Sequence, residues 1–112
     1  MGIQKDSGEI LIYIYNRYIS QDFEFLTLND LKDETKWNEG RIINSVMYLN
    51  DKNLIKIDGD EGGFIIKRML PDGIGTVEGG GKFRGLFKGL FGFEVKLNSD
   101  GSISFKFSWE RK

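Results

Sequence analysis

TLNDLKDETKWNEGRIINSVMYLNDKNLIKID, residues 27–58, decides the fold. Thr27 with Asp30 three residues later resembles a capping box, in which each side chain satisfies the other residue's backbone N–H at a helix start. Leu28 and Leu31 supply the buried side of the short helix that follows. Trp37-Asn38-Glu39-Gly40 turns the chain, and Asn38 is a good N-cap for a further helix. In that helix Ile42, Ser45, Val46 and Leu49 recur at spacings of three and four, so they share one face. Asn53 suits the left-handed conformation that closes helices. Leu54-Ile55-Lys56-Ile57 then reads as a strand.

Outward from this stretch, the turn Asp58-Gly59-Asp60-Glu61-Gly62-Gly63 leads into Phe64-Ile65-Ile66-Lys67-Arg68, which completes a β-hairpin. Upstream, Phe25-Leu26-Thr27 forms one short strand. Earlier still, Asp6 to Gln21 reads as a first helix with Asp6 as N-cap, Glu9 three residues on, and Leu11, Ile14, Tyr15 and Tyr18 at helical spacing. The run Ile10 to Tyr15 is also rich enough in β-formers to be a strand.

A chain of 112 residues suits one compact domain with one core, and 39% hydrophobic with 29% charged residues suits a folded protein. It has no cysteine and no histidine. Thiolate chemistry, disulfides, the usual general base and the commonest transition-metal ligand are thereby excluded. No stretch of about 20 apolar residues is present, and the start MGIQKDSGEILIYIY lacks the basic opening of a secretion signal, so a cytoplasmic location without a membrane span is expected. The net charge of −1 is unevenly spread. Residues 1–35 hold three basic and seven acidic side chains, residues 36–70 six and five, and residues 71–112 seven and five. An anionic partner is therefore expected to meet the middle or the end of the chain. Gly79-Gly80-Gly81 marks a candidate hinge, dividing residues 1–79 from an extension over 80–112.

In the extension, Phe83, Leu86, Phe87, Leu90 and Phe91 recur as one helical stripe, with Lys82, Arg84 and Lys88 off it. Such a segment either docks on its own domain or lies on an anionic membrane, and Gly85, Gly89 and Gly92 weigh against a long helix. Phe93, Val95 and Leu97, the turn Asn98-Ser99-Asp100-Gly101, and Ile103, Phe105, Phe107 and Trp109 predict a second hairpin with one apolar face. A lone hairpin is unstable in water, so that face is expected to cover the rest of its chain or an identical partner in a homodimer.

The segment 27–58 resembles the winged helix-turn-helix family: a capped second helix, a turn with one large apolar residue, a third helix, and a "YL…K-Asn-Leu-Ile" exit into the wing. Leu70 to Gly79, LPDGIGTVEG, resembles the segment that follows the wing in small bacterial and archaeal members. The resemblance covers roughly residues 8–79. It implies an α+β winged helix, a three-helix core with a β-hairpin wing, here with the C-terminal amphipathic segment and hairpin added. It also implies binding of double-stranded DNA by the third helix in a major groove, as in a transcription regulator. Carried onto this chain, the DNA-binding positions are Lys36, Asn38, Arg41, Asn44 and Tyr48 around the third helix and Lys56, Lys67 and Arg68 in the wing. Arg41 and Asn44 would read bases; Lys36, Lys67 and Arg68 would bind phosphate. Asp58, Asp60, Glu61 and Glu39 oppose such a surface, and Ile43 and Met47 lie beside the polar face of the third helix. One exposed patch of Lys36, Arg41, Lys67 and Arg68 would favour DNA. Acidic residues breaking that patch would favour a protein-interaction module.

Catalysis is not expected. The seven serines have no histidine to activate them. Asp58-Gly-Asp-Glu-Gly-Gly lacks the alternating ligands and terminal Glu of a calcium loop. IGTVEGGGKFRG lacks the Gly-Lys-Ser/Thr ending of a phosphate cradle. No cofactor and no metal are implied.

Overall fold

Ile10, Leu11, Ile12, Ile14 and Tyr15 are all buried, on every side of one helix. A helix that is apolar all round belongs in the middle of a fold. In the computed structural model, which describes residues 2–20, 24–60 and 63–109, this helix is α1, Ile3–Ile19. Gln21, the expected helix end, lies outside the described residues. Of the two readings of Ile10 to Tyr15, helix is the one found. Its start differs from expectation. The N-cap is Gly2, with no side-chain cap, and Asp6 sits inside the first turns with its carboxylate turned to Arg41.

The chain continues through β1 (Leu26–Thr27), α2 (Leu28–Thr35), α3 (Glu39–Asp51), β2 (Ile55–Asp60) and β3 (Gly63–Met69). The Thr27 capping box forms: the Asp30 N–H donates to Thr27 Oγ1 at 3.2 Å and the Thr27 N–H donates to Asp30 Oδ2 at 2.9 Å. The Asn38 cap forms too, its Oδ1 accepting from the Arg41 N–H at 2.9 Å. Asn53 adopts the expected left-handed conformation at φ 61°, and Lys36 does so at φ 62° where α2 ends. The three strands make one antiparallel sheet in the order β1-β3-β2. Ile42, Val46 and Leu49 of α3 and Leu31 of α2 close the core between this sheet and α1.

After β3 come α4 (Pro71–Glu78), a single 3-10 turn (Gly81–Phe83) and α5 (Leu86–Phe91). The amphipathic stripe therefore forms only six helical residues, bounded by Gly85 at φ 78° and Gly92 at φ 82°. Phe87 and Phe91 face inward, while Leu86 is exposed.

The expected C-terminal hairpin is reduced to a single antiparallel bridge, Leu97 to Ile103, with no strand assigned on either side among the described residues. The reason is visible in the hydrogen bonds: side chains of α1 take the place of a neighbouring strand. Asn16 Nδ2 donates to Ile103 O at 3.1 Å while the Ile103 N–H donates to Asn16 Oδ1 at 2.9 Å. Glu9 Oε1 accepts from the N–H and the Oγ of Ser108, both at 2.9 Å. The apolar side of this segment lies on its own chain. Phe93, Phe105, Phe107 and Trp109 form a file of rings with centroids 4.5–5.2 Å apart, and Tyr13 of α1 meets Phe107 and Trp109 edge-on at 6.3 Å. Each such pair adds roughly 0.5–1.5 kcal/mol to simple burial. Among the described residues no helix is long and apolar enough to cross a membrane.

Candidate nucleic-acid interface

The turn between α2 and α3 sets the geometry. Trp37 packs inward, almost fully buried, and Trp109 meets it edge-on at 5.2 Å. Its exposed face carries the Arg41 guanidinium, 3.8 Å from the ring centroid. A guanidinium stacks well on indole because it is planar and weakly hydrated. The same guanidinium forks onto Asp6: Nε donates to Oδ2 at 2.8 Å and Nη2 to Oδ1 at 3.0 Å. The hydrogen bonds that Arg41 donates to Asp6 raise its pKa above the ordinary value, against the opposing effect of burial.

This changes the part expected of Arg41. The Nε–Nη2 edge of its guanidinium is committed to Asp6, and only the Nη1 side is left for a further acceptor. Asn38 is likewise engaged through its amide oxygen as a helix cap. Tyr48 faces α5: its hydroxyl donates to Leu90 O at 3.4 Å and its ring lies 6.2 Å from that of Phe91. Of the expected positions on α3, only Asn44 is exposed with no side-chain hydrogen bond to another described residue. Beside it, Met47 is 42% exposed and Ile43 half-buried. Met47 is thus largely open to solvent, whereas Tyr48 contacts the C-terminal extension. Glu39 pairs with Lys32 at 2.8 Å.

The β2–β3 hairpin keeps more of its expected character. Lys56 stands opposite Arg68 in register, and the next pair is Ile57 with Ile66, so Lys67 is the additional residue of a β-bulge. A bulge breaks the inward–outward alternation. Lys67 and Arg68, consecutive in sequence, consequently both reach solvent. Lys67 Nζ lies 3.4 Å from Asp58 Oδ2 and 5.6 Å from the Phe25 ring centroid. Lys36, Lys56 and Arg68 are exposed and make no ion pair with a described residue. Glu61 and the side chain of Asp60, the other acids expected at the hairpin tip, lie outside the described residues.

Two features of this surface escaped the sequence reading. Asp6 was expected as a cap, and nothing in its spacing announced a partner 35 residues away. Trp37 was expected only as the apolar residue of a turn, although its position four residues before Arg41 is compatible with a stacked pair. Among the described residues no group of three or more carboxylates gathers in a way that could hold a metal ion. Comparison of the chain with protein-family models, curated proteins and solved structures finds no match.

Proposed function

We propose that this chain is a winged helix that binds duplex DNA mainly through its phosphates, as a small regulator of modest sequence selectivity. The order of helix, short strand, two helices and hairpin, with β1 closing the sheet beside β3, supports that reading. The observation that carries it is the cationic hairpin: the bulge turns Lys67 and Arg68 outward together, with Lys56 across from Arg68. Lys36 adds a further unpaired charge at the turn before α3. With Arg41 held by Asp6, base reading falls to Asn44, whose amide suits adenine.

Phosphate contacts release counterions, so the observed affinity should fall with salt at a logarithmic slope of about −0.9 per contact. Three contacts, from Lys36, Lys56 and Arg68, give a slope of about −3. Replacing Lys56 and Arg68 together by alanine should reduce its magnitude by about 2. A slope near zero on random duplex DNA at low salt, or one that the double variant leaves unchanged, sinks the proposal.

A second reading is a protein-interaction winged helix. It is favoured by the outward side of α3, where Met47 and Ile43 lie between Glu39 and Asp51 at the two ends of the helix. The same titration separates the two, since a protein surface of this kind gives no salt-dependent DNA binding.

A further inference from the structure

α1 begins without a side-chain cap. Its first backbone bond runs from the Asp6 N–H to Gly2 O at 3.0 Å, which leaves the N–H groups of Ile3, Gln4 and Lys5 with no acceptor among the described residues. Unsatisfied N–H groups at a helix start, together with the helix dipole, attract anions. Here that start opens on a cavity of about 330 Å³ whose walls are Gly2, Ile3, Asp6, Arg41, Asn44 and Ser45. Ser45 supplies an independent sign of a missing ligand. It is fully buried, it lines the cavity, and its Oγ is the one buried side-chain polar atom among the described residues without a hydrogen-bond partner. Leaving such a group unsatisfied is costly to the folded chain.

The remaining walls are rich in donors. The Asn44 amide is uncommitted. Arg41 has five N–H hydrogens and gives two of them to Asp6. The Asp6 carboxylate is matched by Arg41 on both oxygens, so the pair presents no net negative charge to an incoming anion. The volume is at the lower end of the range for small-ligand sites.

We propose that this cavity between the start of α1 and α3 binds a phosphate group, received by the α1 N–H groups, Arg41, Asn44 and Ser45. The group comes either as a free phosphate or monoester or as a phosphodiester of bound DNA; the free form does not depend on DNA binding by the hairpin. The test is an amide NMR titration of the full chain with inorganic phosphate, with chloride at equal ionic strength as reference and a short duplex in a parallel arm. Saturable shifts at Ile3–Lys5 and Asn44 with phosphate, weakened about tenfold or more in Asn44→Asp, support a free-phosphate site. The same shifts with duplex alone, retained in the Lys56/Arg68 alanine variant, support a DNA phosphate there. Ser45→Ala should weaken either response while the protein stays folded in thermal unfolding. No shift above chloride in either arm, or shifts that Asn44→Asp and Ser45→Ala both leave intact, overturns the proposal.

Discussion

Arg41 illustrates how one side chain can be legible in type and illegible in role. Its position on the exposed flank of α3 suits a base reader, but its two neighbours convert it into a brace between α1 and the α2–α3 turn. The Asp6 carboxylate is mostly buried, with 10% of its side chain exposed, so removing its partner leaves a charge with little solvent to compensate it. Arg41→Ala is expected to lower stability by about 1–3 kcal/mol in denaturant unfolding, discounted because Arg41 itself is partly solvated. Adding Asp6→Asn should recover part of the loss, which a double-mutant cycle measures.

Tyr15 makes a second residue-scale prediction. Its buried hydroxyl has one hydrogen and two acceptors, Glu78 Oε2 at 2.8 Å and Gly101 O at 3.1 Å. Burial, then the hydrogen bond and charge of Glu78, raises its pKa well above the ordinary tyrosine value. A raised pKa means that the neutral phenol is favoured in the folded chain. Its contribution to stability is complete below about pH 10, where the unfolded chain also keeps its proton, and is lost as pH rises further. Alkaline titration followed by phenolate absorbance should show this ring ionising only with global unfolding, and Tyr15→Phe should remove that coupling.

Among the elements, α1 explains most of what the sequence left open. Its apolar run Ile10 to Tyr15 resembled a strand because neighbours lie on opposite sides: α3 on one, and α5 with the C-terminal segment on another. Two-sided burial erases the helical stripe on which a period-based reading depends. The elements bounded by local chemistry were legible: the Thr27 box, the Asn38 cap, the Asn53 exit and the β2–β3 hairpin all rest on residues close in sequence. The second hairpin was not. Its alternation correctly marked an apolar face, but alternation cannot reveal whether backbone groups bond to a strand or to Asn16 and Glu9 of a helix. The candidate site divides in the same way, since charges on β3 were readable whereas the Asp6–Arg41 pair joins distant segments.

Gly8 is the position where α1 admits that extension most closely. A Cβ there would lie 2.8 Å from Phe91 Cβ and from Phe93 Cε1. Gly8→Ala should therefore destabilise the fold by about 1–3 kcal/mol despite its better helix propensity. Thermal unfolding gives the magnitude, and increased amide exchange in α5 would identify the contact responsible. Gly2→Ala, with nothing within 4 Å, is the matched control.

For the molecule as a whole, the C-terminal extension is a cover over the central helix, fastened at several points. Glu9 is the innermost fastening, 1% exposed, with Lys5 paired to Oε2 at 2.6 Å and Ser108 bound to Oε1. Glu9→Ala should lower global stability by about 1–3 kcal/mol and raise hydrogen exchange over residues 103–109. Glu9→Gln, which keeps one oxygen acceptor, should do less. Equal effects of both variants would show that the Ser108 bonds contribute little.

The meeting of Trp37 with Trp109 has a practical consequence. These are the two tryptophans of the chain, and one belongs to the turn before α3 while the other lies on the covering segment, with ring planes at 89°. Two indoles this close couple optically, so the protein carries its own reporter. Fading near-ultraviolet dichroism of these two rings, with the helical far-ultraviolet signal retained, marks the moment the tail lifts, without any attached dye.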